Sequence, residues 1–309
     1  MNLSTIIDSM ISLFIMILVG VYGSKKKIIT SEINKGLTDI LIQIALPFMI
    51  ITSFIFTYDD TIKTNIVKTF YYSLIAYLIV AVVSYLLLLP VKNDKKTILH
   101  FANIFTNPGY VGFPILYYIY GAEGVIYGSI FNMFFVIFVW TYGLMLFKGS
   151  FKKEELKEEI RRILLNPSII AVFLGIIIMV FNIQLPNVIS SSMRSIGNMT
   201  GPLSMLIIGV ILSKVKIKQH LKDWTLYYGI TTKLVIIPIT VYLISMLLVG
   251  SSKAIITVII MTAMPASAMT SIFAESYDKE KEYAAVLVSI TTLLSLITVP
   301  LLLRIIMAL

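Results

Sequence analysis

The sequence predicts an all-α membrane protein in which ten transmembrane helices form two inverted five-helix repeats, with the fourth and ninth helices broken where the repeats cross. Three observations predict it. Hydrophobic residues fill 58% of the 309 positions and charged residues only 13%, against about 45–50% and about 25% in soluble domains; mean hydropathy is +0.93. Charged residues divide the chain into ten apolar stretches, each close to or above the roughly 20 residues that cross a hydrocarbon core. Lys and Arg then fall unevenly on the two sides of those stretches.

Taken in order, the first helix occupies 9–24, extended back past Asp8. Basic residues follow this run instead of preceding it, so it does not read as a cleaved signal peptide. The second covers 40–58 and contains Pro47, the third 69–91, the fourth 97–122 and the fifth 124–147. A connector, 148–166, carries Glu154, Glu155, Glu158 and Glu159 among basic residues, with Leu156, Ile160, Ile163 and Leu164 at helical spacing. That pattern predicts an amphipathic interfacial helix, and Asn166 before Pro167 predicts a cap and first turn for the next one. The sixth helix starts at Pro167 and turns at Asn182–Asn187; the seventh covers 195–213 and contains Gly201 and Pro202. The eighth runs from near Thr225 to 252, the ninth is 254–274 and the tenth 283–303. The division is therefore 1–147 for the first repeat, 148–166 for the connector and 167–309 for the second repeat.

With this frame 19 Lys and Arg lie in loops on one side and 4 on the other. The positive-inside tendency puts the basic loops in the cytoplasm and both termini outside. The net charge of +9 is thus a topology signal, and no nucleic-acid partner is expected. The stretches of the two halves pair at offsets of 154 to 165 residues. Five helices is an odd number, so the second unit enters from the opposite face, a recurrent device of secondary transporters that places substrate where the repeats meet.

The fourth helix is interrupted by NPGYVGFP, Asn107 to Pro114, and the ninth by MPAS, Met264 to Ser267; Pro108 and Pro265 are 157 residues apart. Proline removes a donor and clashes with the preceding turn. Groups freed in this way cannot face lipid, so they face protein or a water-filled cavity. Half-helix N-termini at such a crossing carry partial positive charge and favour an anion such as a carboxylate. The candidate substrate-binding set is Asn103, Thr106, Asn107, Pro108, Gly109, Tyr110, Gly112 and Pro114, with Asn132 of the fifth helix and Met264, Pro265, Ala266 and Ser267 of the ninth. Pro47, Gly201 and Pro202 occupy equivalent places in the two halves and read either as path-lining breaks or as bends in a fixed scaffold. There are no cysteines and only two histidines, His100 and His220, so no metal site, cofactor or catalytic constellation is expected.

The segments GVYGSKKKIITSEINKGLTDILIQIALPFMI, TNPGYVGFPIL, FNMFFVIFVWTYG, GPLSMLIIGVIL, KLVIIP, AMPASAMTSIFAESYD and LLSLITVPLLL, in this order over nearly the whole chain, resemble the auxin efflux carrier family of PIN-like transporters. The resemblance implies a ten-helix fold related to sodium–proton antiporters and bile acid transporters. It further implies elevator movement of a crossover domain against a scaffold, homodimers, and small organic anions as cargo, from indole carboxylate to malate- or malonate-like dicarboxylates. The long central loop of many plant members is absent here, which marks a short, bacterial type in the cytoplasmic membrane.

Lys233 falls within the eighth helix, roughly 12 Å along it if the helix begins near Thr225. A lysine there must pair, neutralise or reach water. It is a candidate counter-charge for a substrate carboxylate, a partner for another helix, a stand-in for a coupling cation, or a snorkelling side chain. Asp8 and Asp39 are the acids nearest the first two helices and read as caps or coupling groups. Arg194 reads as a surface residue or as an attractor of anions at the outer mouth. The function expected is a carrier, not an enzyme, that exports small organic anions. The alternatives are a sodium-coupled symporter of the bile acid type and a membrane sensor without transport.

Overall fold

The computed structural model describes residues 3–55, 60–92, 94–149, 153–214, 220, 222–246 and 253–308. Among them every element is helical, and the β pairing is one isolated bridge. The helices are α1 (Leu3–Lys25), α2 (Ser31–Ser53), α3 (Asp60–Leu87), α4 (Asp94–Ile104), α5 (Pro108–Lys148), α6 (Lys153–Leu164), α7 (Pro167–Val180), α8 (Asn187–Ser213), α9 (Trp224–Ser245), α10 (Lys253–Thr262), α11 (Met269–Ser276) and α12 (Lys281–Ala308). Among the described residues six of these, α2, α3, α5, α8, α9 and α12, are long and apolar enough to cross a membrane, and Ile11–Lys25 of α1 form a shorter apolar segment.

Of the remaining apolar stretches, the first is the unbroken helix α1 of 23 residues, and the others are interrupted or joined to a neighbour. The fourth stretch is divided between α4 and the start of α5, and the ninth between α10 and α11. The sixth, α7, has 14 residues and meets α6 at a 54° bend. Asn166 caps α7, its Oδ1 accepting the Ser168 and Ile169 N–H groups at 3.0 and 3.4 Å. α5 spans 41 residues but is a hairpin. Gly121, at φ 61° and ψ −142°, takes a conformation closed to other residues. Beyond it, a Cβ at Gly128 would lie 3.6 Å from the Phe113 ring. Those residues would sit about 22 Å apart in an unbroken helix.

The helices pack in two groups. α1 lies along α8, while α2 packs on α7 and α8. The other group joins α3 to α4, α5 and α10, with α9 and α11 packed on α12. At the α1–α8 contact the backbones touch: a Cβ on Gly20 would run into the Leu206 carbonyl, and one on Gly209 into the Ile17 carbonyl. Glycines on both helices are the sequence feature that permits this approach. The second group contains most of the buried aromatic core, including Tyr77, Phe101, Phe105, Phe131 and Tyr283.

Candidate functional site

α4 stops at Ile104 and α5 starts at Pro108; α10 stops at Thr262 and α11 starts at Met269. The unwound residues between them meet. The Asn107 N–H donates to the Pro265 carbonyl and the Ser267 N–H donates to the Phe105 carbonyl, both at 2.9 Å, so Thr106 and Ala266 form an antiparallel bridge. This pairing accounts for the backbone groups that two broken apolar helices would otherwise leave bare. Phe105, Thr106, Met264 and Ala266 are all buried at 1% exposure or less. The Ala266 N–H donates in turn to Thr291 Oγ1 on α12 at 3.3 Å.

Each break is capped from within. Asn107 Oδ1 accepts the Tyr110 N–H at 3.2 Å, and Ser267 Oγ accepts the Met269 N–H at 3.2 Å. Pro108 opens a π turn over Pro108–Gly112, where a missing N–H costs nothing. Gly112 lets this turn lie against α10: a Cβ there would sit 2.7 Å from Met261 Sδ, with Met264 next to it. Pro114 is buried one turn further on. Gly109 and Tyr110 face outward from the crossing. Gly109 lies opposite Leu46 of α2, and Tyr110 packs against Leu41 and Ala45 of α2 and Ile207 of α8. The Tyr110 ring therefore stands between the two helix groups. The Thr106 hydroxyl is buried and has no hydrogen-bond partner among the described residues.

Lys233 is fully buried in a π turn of α9, Thr232–Ile236. Its ammonium donates to the Asn103 carbonyl at 3.0 Å, one of the last four carbonyls of α4, which have no partner within their own helix. A cation at this end is favoured by the helix dipole. Asn103 is the centre of a wider network. Its Oδ1 accepts from Thr232 Oγ1 at 3.2 Å and its Nδ2 donates to Ser84 Oγ at 3.0 Å. Ser84 Oγ lies 2.8 Å from His100 Nδ1, and His100 Nε2 lies 2.9 Å from the Tyr142 hydroxyl. Sequence reasoning missed Ser84, His100, Thr232 and Tyr142. The only signal available was that Thr232 adjoins Lys233 and that His100 precedes Asn103 by three residues, on the same helix face.

The other candidates are placed as follows. Asn132 is buried on the second limb of α5, one turn beyond Gly128 on the face that meets Met261. Pro47 is buried directly after a π turn, Leu41–Ala45, in the continuous helix α2. Gly201 and Pro202 lie in the first turn of the segment Thr200–Lys214 of α8. Asp39 is exposed on α2, and the Asp8 side chain lies outside the described residues. None of Asp39, Pro47 or Pro202 forms part of the paired segments.

Away from the crossing, a polar cavity of about 430 Å³ opens between α2, the bend of α5 and α8, lined in part by Thr52, Ser53, Tyr120, Glu123, Arg194 and Asn198. Arg194 Nη2 donates to the Ile55 carbonyl at 3.2 Å, while Glu123 accepts from Lys253 at 2.6 Å and from the Tyr127 hydroxyl at 2.7 Å. The opposite end is held by an ion pair, Lys95 to Asp223, at 2.6 Å. Burial raises the Asp223 carboxyl, but hydrogen bonds from Lys95 and Thr225 outweigh it and hold the group below the usual carboxylate range.

Two helices broken at prolines thus pair their breaks backbone to backbone inside an apolar helical bundle. The family described as Membrane transport protein matches residues 5–303. The chain belongs to this family. It is the family of the auxin efflux carriers and PIN-like transporters. Similar relatives include an uncharacterized transporter of Methanocaldococcus jannaschii, 26% identical over 95% of this chain and 96% of its own. Another uncharacterized transporter, from Methanothermobacter thermautotrophicus, is 23% identical over the same shares of the two chains. The protein is therefore a multi-pass membrane transporter of this family.

Proposed function

We propose that this transporter is a secondary carrier of small organic anions, carboxylates above all, and not an enzyme, working by elevator-type alternating access. The observation that carries the reading is the antiparallel meeting of residues 105–107 with 265–267. It brings the N-terminal ends of α5 and α11 to one buried place, beside the unpaired Thr106 hydroxyl and beneath Tyr110. Two positive helix ends favour a carboxylate, and Thr106 has a donor to spare. The ten apolar stretches then read as two inverted repeats, 1–147 and 167–309, joined by the 148–166 connector and crossing at α4–α5 and α10–α11. α1, α2, α7 and α8 form the scaffold, and the remaining membrane helices move against it with Tyr110 at the boundary. The polar cavity at Arg194 is the outer access route. Protomers pair as homodimers in the cytoplasmic membrane of a bacterium, with both termini outside.

Lys233 argues against the sodium-coupled alternative. Its ammonium holds a C-terminal helix carbonyl, the kind of oxygen that a coupling cation would need. Uptake is accordingly expected to be unchanged when choline replaces sodium.

The test begins with thermal shifts of the purified protein against mono- and dicarboxylates, followed by uptake of the stabilising compound into proteoliposomes. Thr106→Val replaces an unpaired buried hydroxyl by a methyl of similar shape, a change that is neutral or stabilising for the fold. The expected result is unchanged or higher Tm with weaker binding of the carboxylate, by about ten-fold for one lost hydrogen bond to a charged group. Failure of every carboxylate to shift Tm would sink the anion reading, and unchanged binding by the variant would remove Thr106 from the site.

A further inference from the structure

On the basic-loop end of α3, apolar and aromatic residues repeat at helical spacing: Tyr77, Ala81 and Tyr85, with Leu78, Val82 and Leu86 beside them. This face is not covered. Leu78, Val82 and Leu86 are 54%, 61% and 56% exposed on a helix of membrane length, so they look onto lipid. Between α3, the second limb of α5 and the end of α4 lies a groove of about 380 Å³, closed on its inner side by Ile104, Phe138 and Tyr142. It follows α3 from Tyr77 to Leu86, about 13.5 Å at the α-helical rise. One leaflet of hydrocarbon is about 15 Å thick. The groove thus has the length of one acyl chain of the leaflet beside it.

Charge marks the rim. Lys95 and Lys96 are neighbours in the first turn of α4 but point apart. Lys95 pairs with Asp223 at 2.6 Å, whereas the Lys96 ammonium lies 4.9 Å from the centre of the Tyr85 ring. A cation over an aromatic face keeps its donors available, and Lys96 has no carboxylate partner among the described residues. Lys92, which is exposed, precedes α4 by two residues. Basic groups at the mouth of an inter-helix groove on this side of a membrane are the chemistry that selects anionic headgroups.

We propose that this groove is a binding site for an anionic phospholipid, one acyl chain lying between α3 and α5 and the phosphate on Lys96. The site is separate from the crossing but touches it: Ile104 is the last residue of α4 before the break, and Tyr142 is the hydrogen-bond partner of His100. An occupant therefore packs on the half-helix that carries Asn103.

Native mass spectrometry of the detergent-purified protein, with phosphatidylglycerol or phosphatidylcholine added at equal concentration, tests the site. The expected result is about a five-fold preference for phosphatidylglycerol, the size of one basic contact near a membrane surface. Lys96→Gln should abolish the preference, and Ala81→Phe, which fills the groove, should remove the retained lipid altogether. Equal retention of both lipids by the unaltered protein overturns the headgroup assignment, even if neither variant folds. Protection against heat by inorganic phosphate as strong as that given by the lipid would overturn the lipid reading in favour of a simple anion site. Lipid retention unchanged in a folded Ala81→Phe protein would overturn the groove.

Discussion

The two helix groups of this transporter are built on different physical terms. In the group of α1, α2, α7 and α8, α8 approaches its neighbours backbone to backbone: Gly20 and Gly209 bring α1 onto α8, and Gly197 lies against the Met49 backbone of α2, while Gly175 of α7 meets the Phe54 ring. Few buried polar side chains are found there, and Thr52, Ser53 and Ser204 satisfy themselves on carbonyls of their own helices. In the group that holds the crossing, three glycines between helices meet side chains instead, Gly112 against Met261, Gly143 against Phe101 and Gly229 against Leu99, while Gly124 meets the Leu116 carbonyl across the α5 hairpin. Several of its buried polar residues bond between helices, from Lys233 and Thr232 through Asn103 to Ser84 and His100, although Thr69, Ser129 and Thr262 bond within their own helices. Backbone-to-backbone contact leaves no slack and suits a fixed frame. A network of side-chain hydrogen bonds holds its own group as one body and can carry unwound segments inside a membrane.

The strongest way to break this contrast is to add side chains to the glycines. Gly209→Leu would drive a side chain into the Ile17 carbonyl and Gly20, where only separation of α1 from α8 gives relief. Overpacking a rigid site typically costs about 1–3 kcal/mol and more where nothing can move, so the variant is expected to yield little folded protein or a sharply lower Tm. Gly128→Ala, in the other group, meets the end of the Leu116 side chain at 2.5 Å, which can turn aside. Its Tm should fall far less. Equal losses for the two would remove the distinction between a rigid and a yielding group.

A smaller effect on stability, with a larger one on activity, is expected at Lys233. Replacing a buried charge by an apolar residue of similar length is often neutral or stabilising, whereas the Asn103 carbonyl left without its donor costs about 1–3 kcal/mol. Lys233→Met should therefore change Tm by only a few degrees. Uptake should fall at least about ten-fold, because the end of α4 loses the cation that balances it next to the site, an effect of about 1.4 kcal/mol or more on the barrier. Normal uptake by the folded variant would make Lys233 a packing residue and weaken the reading of this group as the working part.

The breaks at the crossing were legible in the sequence, whereas the grouping of the helices was not, and what escaped did so for physical reasons. The breaks at Asn107–Pro114 and Met264–Ser267 announce themselves because proline and glycine act locally. Asn166–Pro167 announces a helix start in the same way, and Asn166 does cap α7. The division of α5 at Gly121 was visible only indirectly, through Glu123 interrupting an apolar run. The partners of Asn103 were not legible: Ser84 and Thr232 lie 19 and 129 residues away, and a single hydroxyl in an apolar helix carries no mark of what it faces. The sequence makes Asn107 and Ser267 candidates for substrate, and in the structure their oxygens accept N–H groups from the first turns of their own half-helices. Capping and ligand binding use the same residue types, so sequence alone does not separate them.

The smallest effect expected is one of pH, and it concerns how the crossing group is closed at its basic-loop end. Asp223 caps α9 and pairs with Lys95 of α4, tying α4 to α9 beside the network but outside it. Its carboxyl is held below the ordinary value of 3.8. A carboxyl depressed by folding stabilises the folded state fully above its unfolded value and loses that contribution as pH falls through its folded one. Tm should therefore drop more steeply below about pH 4 in the unaltered protein than in Asp223→Asn, which keeps a capping oxygen and cannot titrate. Between pH 6 and pH 8 the variant should differ from the parent by no more than about 1 kcal/mol, because the pair is partly exposed to water. Identical acid profiles would place the tie between α4 and α9 in the buried Asn103–Thr232–Lys233 contacts alone, and so sharpen the contrast between the two groups.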